Sequence, residues 1–463
     1  MVRVVIAGGG IAGCGAAEAA IKAGAEVILL ERTDLLLGSA LVAGFMPITG
    51  GGGFCLAEET KVMGCDEILQ ELKSLDVNRE APTESLVEGR ETMWRKRPYL
   101  YNCGRVEPAI RRLVERMGVH LRLVSRAVDV RKVDGRLTAV KLANGEWIEG
   151  DAFVDCTGTA GGLANCIRYG KGCVMCPMYR CPSFGDRVSI AGKAGAAEFN
   201  KLKPDGTPGI LSPEMHFYKE SLSPALQAEI AKNMRVAIDI REEIAKGIVD
   251  PSEYDSIHYA QWARWGFDPE TGKAHADETG ATAFNKRGEI VLVDRFMPGV
   301  VSTTNLGYIS YEKLRQIPGF ENAIVAFPQG GRGNFVHYLS QTVREESLRV
   351  KGFQNLFVAG EKACVVTVPG CLASGLLAGH NAVRAALGKD LLVLPRSTVT
   401  GDYLAYCDEM SQTDEGIKTF WVCYCGVYLR RIIDLGLCLT DADKIRAGME
   451  TAGLAGVYAT KLV

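Results

Sequence analysis

The sequence contains no run of eighteen apolar residues, so no stretch is suited to cross a bilayer as a helix. It has no excess of one charge. Lys and Arg number 53 against 55 Asp and Glu, a formal net charge of -2, and the molecule as a whole offers no basic field to a nucleic acid. Histidine is scarce, at six residues, and the six are scattered. No internal repeat and no low-complexity tract is visible. A strand-like run begins at Val2, which leaves no room for a secretory or transit leader, and a cytoplasmic chain is expected. Structural disulfides are not expected in that compartment. The 15 cysteines are then buried thiols, metal ligands or redox groups.

What is present is glycine, at 53 residues, much of it in short clusters of the kind needed where backbone must approach a ligand closely. The length of 463 residues suggests two or three domains. With 47% hydrophobic and 23% charged residues, the composition is that of a globular protein. One local basic stretch stands out: Arg95, Lys96 and Arg97, then Arg105, Arg111 and Arg112. It reads as a solvated helix face or as a local basic face for nucleic acid.

The first thirty residues carry the strongest pattern. Val2–Ala7 reads as a buried strand, followed at once by Gly8-Gly9-Gly10-Ile11-Ala12-Gly13. An Ala-rich helix then runs to Gly24, and a second strand, Glu26–Leu30, ends at Glu31. This is a complete βαβ unit with the G-x-G-x-x-G spacing of a dinucleotide site. Gly8 permits the tight turn, Gly10 lets a pyrophosphate approach the backbone, and Gly13 lets helix pack on strand. The phosphates would sit on the helix N-terminus, where free N–H groups favour negative charge. Glu31 would accept hydrogen bonds from the adenosine ribose, and its carboxylate would repel a 2′-phosphate.

Further along, residues 38–65 read as a Gly-rich loop over a cofactor. Asp66–Leu75 and Val106–Met117 read as helices, and Ala127–Val133 with Leu137–Leu142 as a hairpin about Asp134-Gly135. Val154-Asp-Cys-Thr-Gly158 reads as a strand ending in a Gly turn. Ser223–Lys246 reads as one long helical stretch, and Ile290–Val293 as a strand. Phe357-Val-Ala-Gly360 is a strand reaching a Gly, Ser374–Leu387 a small-residue helix, and the last 65 or so residues are mostly helical.

Together these features resemble the flavoproteins that share the glutathione-reductase FAD fold. The N-terminal part is similar to the FAD-dependent oxidoreductase family. From Ile317 the chain resembles the glucose-inhibited division protein A group, which includes flavin-dependent tRNA-modifying enzymes. The matching residues are Ile317-Pro-Gly-Phe-Glu-Asn322, Asn355–Gly360, Ala373–Gly379 and Asn381-Ala382. The implied fold class is α/β, with a discontinuous Rossmann-like FAD/NAD(P)-binding domain at 1–165 and 346–395. A Cys-rich α+β substrate or cap domain is inserted at 166–345, and a helical region follows at 396–463.

The resemblance implies cofactor contacts residue by residue. Gly8, Gly10, Ile11, Ala12 and Gly13 would hold the FAD pyrophosphate. Glu31, Arg32 and Ser39 would line the adenosine side, and Ala127 would meet the adenine through its backbone. Thr157, Gly158, Gly360 and Glu361 would reach the pyrophosphate and ribityl chain. Ser374, Gly375 and Leu376, at a helix N-terminus, would face the flavin, where a positive helix end stabilises the anionic reduced ring. At position 361 the tRNA-modifying members carry Gln and this chain carries Glu.

Cys166, Cys173, Cys176 and Cys181 form a C-x6-C-x2-C-x4-C cluster followed by Pro182. Such a set suits Zn or an Fe–S cluster, a redox dithiol at Cys173 and Cys176, or inert packed thiols. Cys55 and Cys371 are candidate nucleophiles or redox partners of the flavin, or small apolar fillers. Arg332 is a candidate anion-binding group and His337 a proton-transfer group, or a satisfied structural His. The expected function is hydride transfer between flavin N5 and a small-molecule substrate. Two alternatives stand beside it: a flavin- and folate-dependent RNA uridine methyltransferase, and an electron-transfer subunit with a redox partner. Nucleic acid binding and self-association are left open, and no membrane partner is expected.

Overall fold

A computed structural model describes residues 1–41, 45–48, 52–75, 99–158, 188–200, 216–233, 235–248, 289–294, 300–303, 311–327, 340–365, 368–412, 427–439 and 441–463. At its centre is a five-stranded parallel sheet. Its spatial order is β17 (Leu356–Val358), β9 (Ala152–Asp155), β1 (Arg3–Ala7), β2 (Glu26–Leu30), β5 (His120–Arg122). Strands of such a sheet are covered on both faces, which is why Val4–Ala7 of β1 and Ala152–Val154 of β9 are apolar without alternation. The pairing puts Ile6 beside Leu29 on one side and Val154 on the other. Helix α1 (Ile11–Lys22) packs on this sheet through Ala16, Ala17, Ala19 and Ala20, all buried.

The partner of α1 is the long Val368–Ala386 helix, more than 350 residues away in sequence. Their backbones meet through glycine. A Cβ on Gly375 would lie 2.1 Å from the Ala12 carbonyl oxygen, and one on Gly379 would lie 2.1 Å from that of Ala16. No side chain larger than hydrogen fits at either place.

The expected hairpin is present as β6 (Ala127–Val133) and β7 (Arg136–Leu142), with β8 (Trp147–Glu149) added at its edge. Asp134 and Gly135 both have positive φ, 48° and 74°, the turn whose twist suits a two-residue hairpin loop. Asn355, fully buried, fastens this hairpin to the parallel sheet. Its Nδ2 donates to the Leu137 and Asp151 carbonyls, and its Oδ1 accepts from Leu137 N–H.

Two expected elements differ. Residues 38–65 are not one loop. They contain β3 (Phe45–Ile48), antiparallel to β4 (Tyr99–Asn102), and helix α2 (Gly52–Met63). Cys55, Leu56, Glu59 and Met63 fall on one face at helical spacing and are buried, a pattern masked in the sequence by the preceding glycines. Ser223–Lys246 is likewise not one helix. It divides into a Pro224–Asn233 helix, strand β12 (Arg235–Asp239) and a short Arg241–Ala245 helix. Val236 and Ile238 alternate with polar or small neighbours at period two, and they pair with Leu292 and Ile290 of β13 (Glu289–Asp294).

Strand β12 edges a second sheet, antiparallel, in the order β12, β13, β14 (Val300–Thr303), β11 (His216–Tyr218), β15 (Val325–Phe327). It has its own core, including Phe217, Ile230, Leu292, Val301 and Phe320, with Phe217 and Phe320 edge to face at 5.3 Å. A two-stranded ribbon pairs β10 (Glu198–Asn200) with β16 (Ser340–Thr342). The C-terminal helices Val399–Ser411, Val427–Asp434 and Ala442–Thr451 contribute Tyr403, Tyr428 and Met449 to the same apolar core as β1 and α1. Among the described residues no helix is long and apolar enough to cross a membrane.

Candidate cofactor site

The turn between β1 and α1 is built so that two of its three spaced glycines are walled in and the third is open. Gly8 has φ +103°, and a Cβ there would lie 2.4 Å from the Cys156 carbonyl oxygen. A Cβ on Gly13 would lie 1.9 Å from the oxygen of Gly8. Gly10 is the reverse: a Cβ there meets no protein atom within 4 Å. Gly10 also caps α1 without a side-chain hydrogen bond, and the first turn of α1 holds no acid. The start of the helix thus carries neither an acid nor a side-chain cap beside the open space at Gly10. That arrangement suits a phosphate anion.

Around this cradle the chain closes from both ends. Cys156 N–H donates to Ala7 O, and Gly8 N–H to Leu30 O. The segment after β2 folds back so that Leu37, with φ 71°, donates its N–H to Gly9 O at 2.8 Å. Glu31 sits at the end of β2, nearly buried. Its Oε2 accepts from Gly9 N–H at 2.8 Å, and its Oε1 accepts from the N–H and hydroxyl of Thr33. The carboxylate thus orients the turn, and Oε2, which accepts one hydrogen bond, retains a lone pair. Ser125 N–H donates to Glu31 O, which brings the strand leading to Ala127 beside the acid. Arg32 is half-buried beside it, and Ser39 lies in the short 3-10 turn Gly38–Leu41.

The far side is supplied by β9 and β17. Thr157 and Gly158 follow β9, and Gly158 has φ 68°. Gly360, φ +62°, opens a 3-10 turn to Ala363 in which Glu361 is half-buried. A Cβ on Gly360 would press on Ala12 at 2.9 Å. Ser374 does not face outward. Its hydroxyl accepts from Gly360 N–H at 3.0 Å and donates to Cys371 O at 2.9 Å, so it fixes Gly360. The expectation that Ser374, Gly375 and Leu376 form a helix N-terminus is corrected here. The helix begins at Val368, the three residues lie about two turns inside it, all are buried, and Gly375 packs against Ala12 of α1. Pro369 is tolerated in that first turn, where its missing N–H has no partner to lose.

Chain similarity agrees with this geometry. Residues 3–165 match the model of the FAD dependent oxidoreductase family, and residues 299–390 match that of the glucose inhibited division protein A family. Among solved structures, GidA of Aquifex aeolicus superposes with a TM-score of 0.53 at 15% identity, covering 97% of this chain and 76% of that one. This is a glutathione-reductase-type FAD-binding fold. Curated relatives include two proteins named methylenetetrahydrofolate–tRNA-(uracil-5-)-methyltransferase TrmFO. That of an Exiguobacterium species is 32% identical over 141 residues, 30% of each chain. That of Bacillus subtilis is 33% identical over 102 residues, 22% of this chain and 23% of its own. The matches thus span less than a third of the length of these two relatives.

The cysteines of the parallel-sheet unit and α2 differ in burial and contacts. Cys14 donates to Gly9 O, and burial pushes its ionisation far upward. Cys156 is held up by burial and then by Asp155. Cys371, half-buried in the first turn of the Val368–Ala386 helix, donates to Val365 O at 3.4 Å. Cys55 lies on α2, fully buried, with its Sγ 3.1 Å from Leu439 O. Arg332, His337 and the cluster Cys166, Cys173, Cys176 and Cys181 lie outside the described residues, as do Arg95, Lys96 and Arg97. Among the described residues no group of three or more His, Cys, Asp or Glu side chains is placed to hold a metal ion.

Two residues that sequence reasoning passed over shape the site. Glu107 of helix α4 (Cys103–Arg116), nearly buried, accepts Leu36 N–H at 3.0 Å and is paired with Arg111, which also donates to Asp34 O. It clamps the segment that closes over Gly9. Arg111, read above as part of a basic face, is thereby committed to an ion pair. Asp155, fully buried at the end of β9, accepts from Thr157 N–H and hydroxyl on one oxygen and from Ser189 Oγ and Ala191 N–H on the other. An acid directly before a Cys-Thr-Gly turn was a signal that could have identified it.

Proposed function

We propose that this chain is an FAD-dependent enzyme in which the α1 N-terminus holds the cofactor pyrophosphate and Glu31 meets the adenosine ribose. The observation that carries the proposal is the asymmetry of the glycine turn: Gly8 and Gly13 are enclosed by backbone, and Gly10 faces open space at a bare helix end. Glu31 would accept a ribose hydroxyl on the remaining lone pair of Oε2, and its charge would reject a 2′-phosphate. Gly360, fixed by Ser374, would let backbone pass close to the ribityl chain. When bound, FAD supplies hydride or electron exchange at the isoalloxazine.

For the substrate, the relatives favour flavin-dependent transfer of a folate-carried carbon to an RNA uridine over hydride exchange with a small molecule. That preference rests on the names of the curated relatives and on the match of residues 299–390. The small-molecule reading draws on the match of residues 3–165 and on Glu361. Flavin content of the purified chain, read by absorbance and mass, tests the cofactor. Retention of tRNA at low salt, falling steeply as salt rises, tests the substrate class. Protein free of flavin after FAD reconstitution would overturn the first. Absence of any tRNA retention by the flavin-loaded protein would overturn the second.

A further inference from the structure

Outside the cofactor cradle, two cysteines from distant parts of the chain meet. Cys55 projects from α2, and Cys438 follows the Val427–Asp434 helix. The Cys55 sulfur lies 3.1 Å from Leu439 O and 4.0 Å from Leu437 O, so it rests against the backbone on both sides of Cys438. The neighbouring Cys438 thiol, and after it burial, pushes the ionisation of Cys55 well upward. They differ in access: Cys55 is fully buried, and Cys438 is partly exposed.

We infer that Cys55 and Cys438 are a redox-responsive dithiol that closes to a disulfide under hydroperoxide. The exposed member reacts first. The Cys438 thiolate attacks the peroxide oxygen, the O–O bond breaks, and hydroxide leaves as Cys438 becomes a sulfenic acid. The Cys55 thiol then attacks the Cys438 sulfur. An S–S bond forms, the S–O bond breaks, and water leaves with the thiol proton. The two sulfurs together lose two electrons and the peroxide gains them, so two thiols and one hydrogen peroxide give one disulfide and two waters. The bond would tie α2 to the segment after the Val427–Asp434 helix. It closes a very long loop and removes chain entropy from the unfolded state.

This pair is independent of the reading of the flavin site, and so is its test. The full-length protein is treated with a modest excess of hydrogen peroxide, alkylated, digested without reductant and mapped by mass. The expected result is a peptide joining Cys55 to Cys438, two hydrogens lighter than its parts, restored by dithiothreitol. Oxidised protein should melt at a higher temperature than reduced protein. In Cys438→Ala the linked peptide and the melting shift are both lost. In Cys55→Ala, dimedone should label Cys438. The inference is overturned if, in peroxide-treated wild-type protein, both residues are alkylated after unfolding. Linkage of Cys438 to a different cysteine would overturn it equally.

Discussion

Position 10 separates binding from folding. Gly10 has φ -66°, a conformation open to any residue, and its Cβ direction is empty of protein. Gly10→Ala should therefore keep the melting temperature of the FAD-free protein while losing flavin, since the methyl would occupy the pyrophosphate position. Gly13→Ala should fail at both, because its methyl collides with Gly8 O. Thermal melts with and without FAD, together with flavin absorbance, distinguish the two. His380 gives a second residue-level prediction. It is fully buried, neither ring nitrogen has a hydrogen-bond partner, and its ring lies 5.3 Å from that of Tyr458. Burial, and then Arg384, lowers its pKa to about 4. The unfolded chain binds this proton near pH 6.5 and the folded chain resists it. The stability associated with neutral His380 is thus complete above pH 6.5 and declines as pH falls towards 4, by up to roughly 3 kcal/mol. Denaturant melts across that window should show the decline in the native chain and a flatter profile in His380→Leu.

At the level of elements, the recurring device is a buried acid that caps the start of a different element. Glu18 of α1 accepts the N–H groups of Glu67 and Ile68 at the start of helix α3 (Glu67–Ser74). Glu59 of α2 accepts from Val399 N–H and from the N–H and hydroxyl of Thr400, where the Val399–Ser411 helix begins. Asp155 does the same for the Ile190–Ala194 helix. Each carboxylate meets the positive end of a helix in a dry setting. Glu59→Gln keeps the shape but turns an NH2 group towards backbone donors, and should cost about 1–3 kcal/mol in denaturant melts. The cap from Glu59 was invisible in the sequence, because a Glu inside a helix reads as a solvated face when its partner lies 340 residues away. The βαβ unit and the Asp134-Gly135 hairpin were readable because every signal in them is local. The start of the Val368–Ala386 helix was misplaced because Gly370 and Gly375 look like breaks, although both lie inside the helix and Gly375 is a contact point with α1. Strand β12 was hidden inside helix-forming neighbours, and only its pairing with β13 fixes its state.

For the whole molecule, the FAD-type fold was readable from its spaced glycines and strand ends, whereas the reaction was not, because one such fold serves many chemistries. The joint between the halves of the FAD fold gives a prediction at this scale. Gly379 touches no cradle residue, yet Gly379→Ala would push the Val368–Ala386 helix off Ala16. Weaker flavin retention and a lower melting temperature should appear together. A variant that lost neither would show that the two helices can separate freely.

That joint also sets a schedule for synthesis. Strand β1 and helix α1 are made long before residues 356–386, which supply β17 and the helix that covers the small-residue face of α1. A ribosome must therefore deliver residue 386 before the glycine turn after β1 has its full surroundings. An early-made element waits on a late one, and closure of the turn follows both.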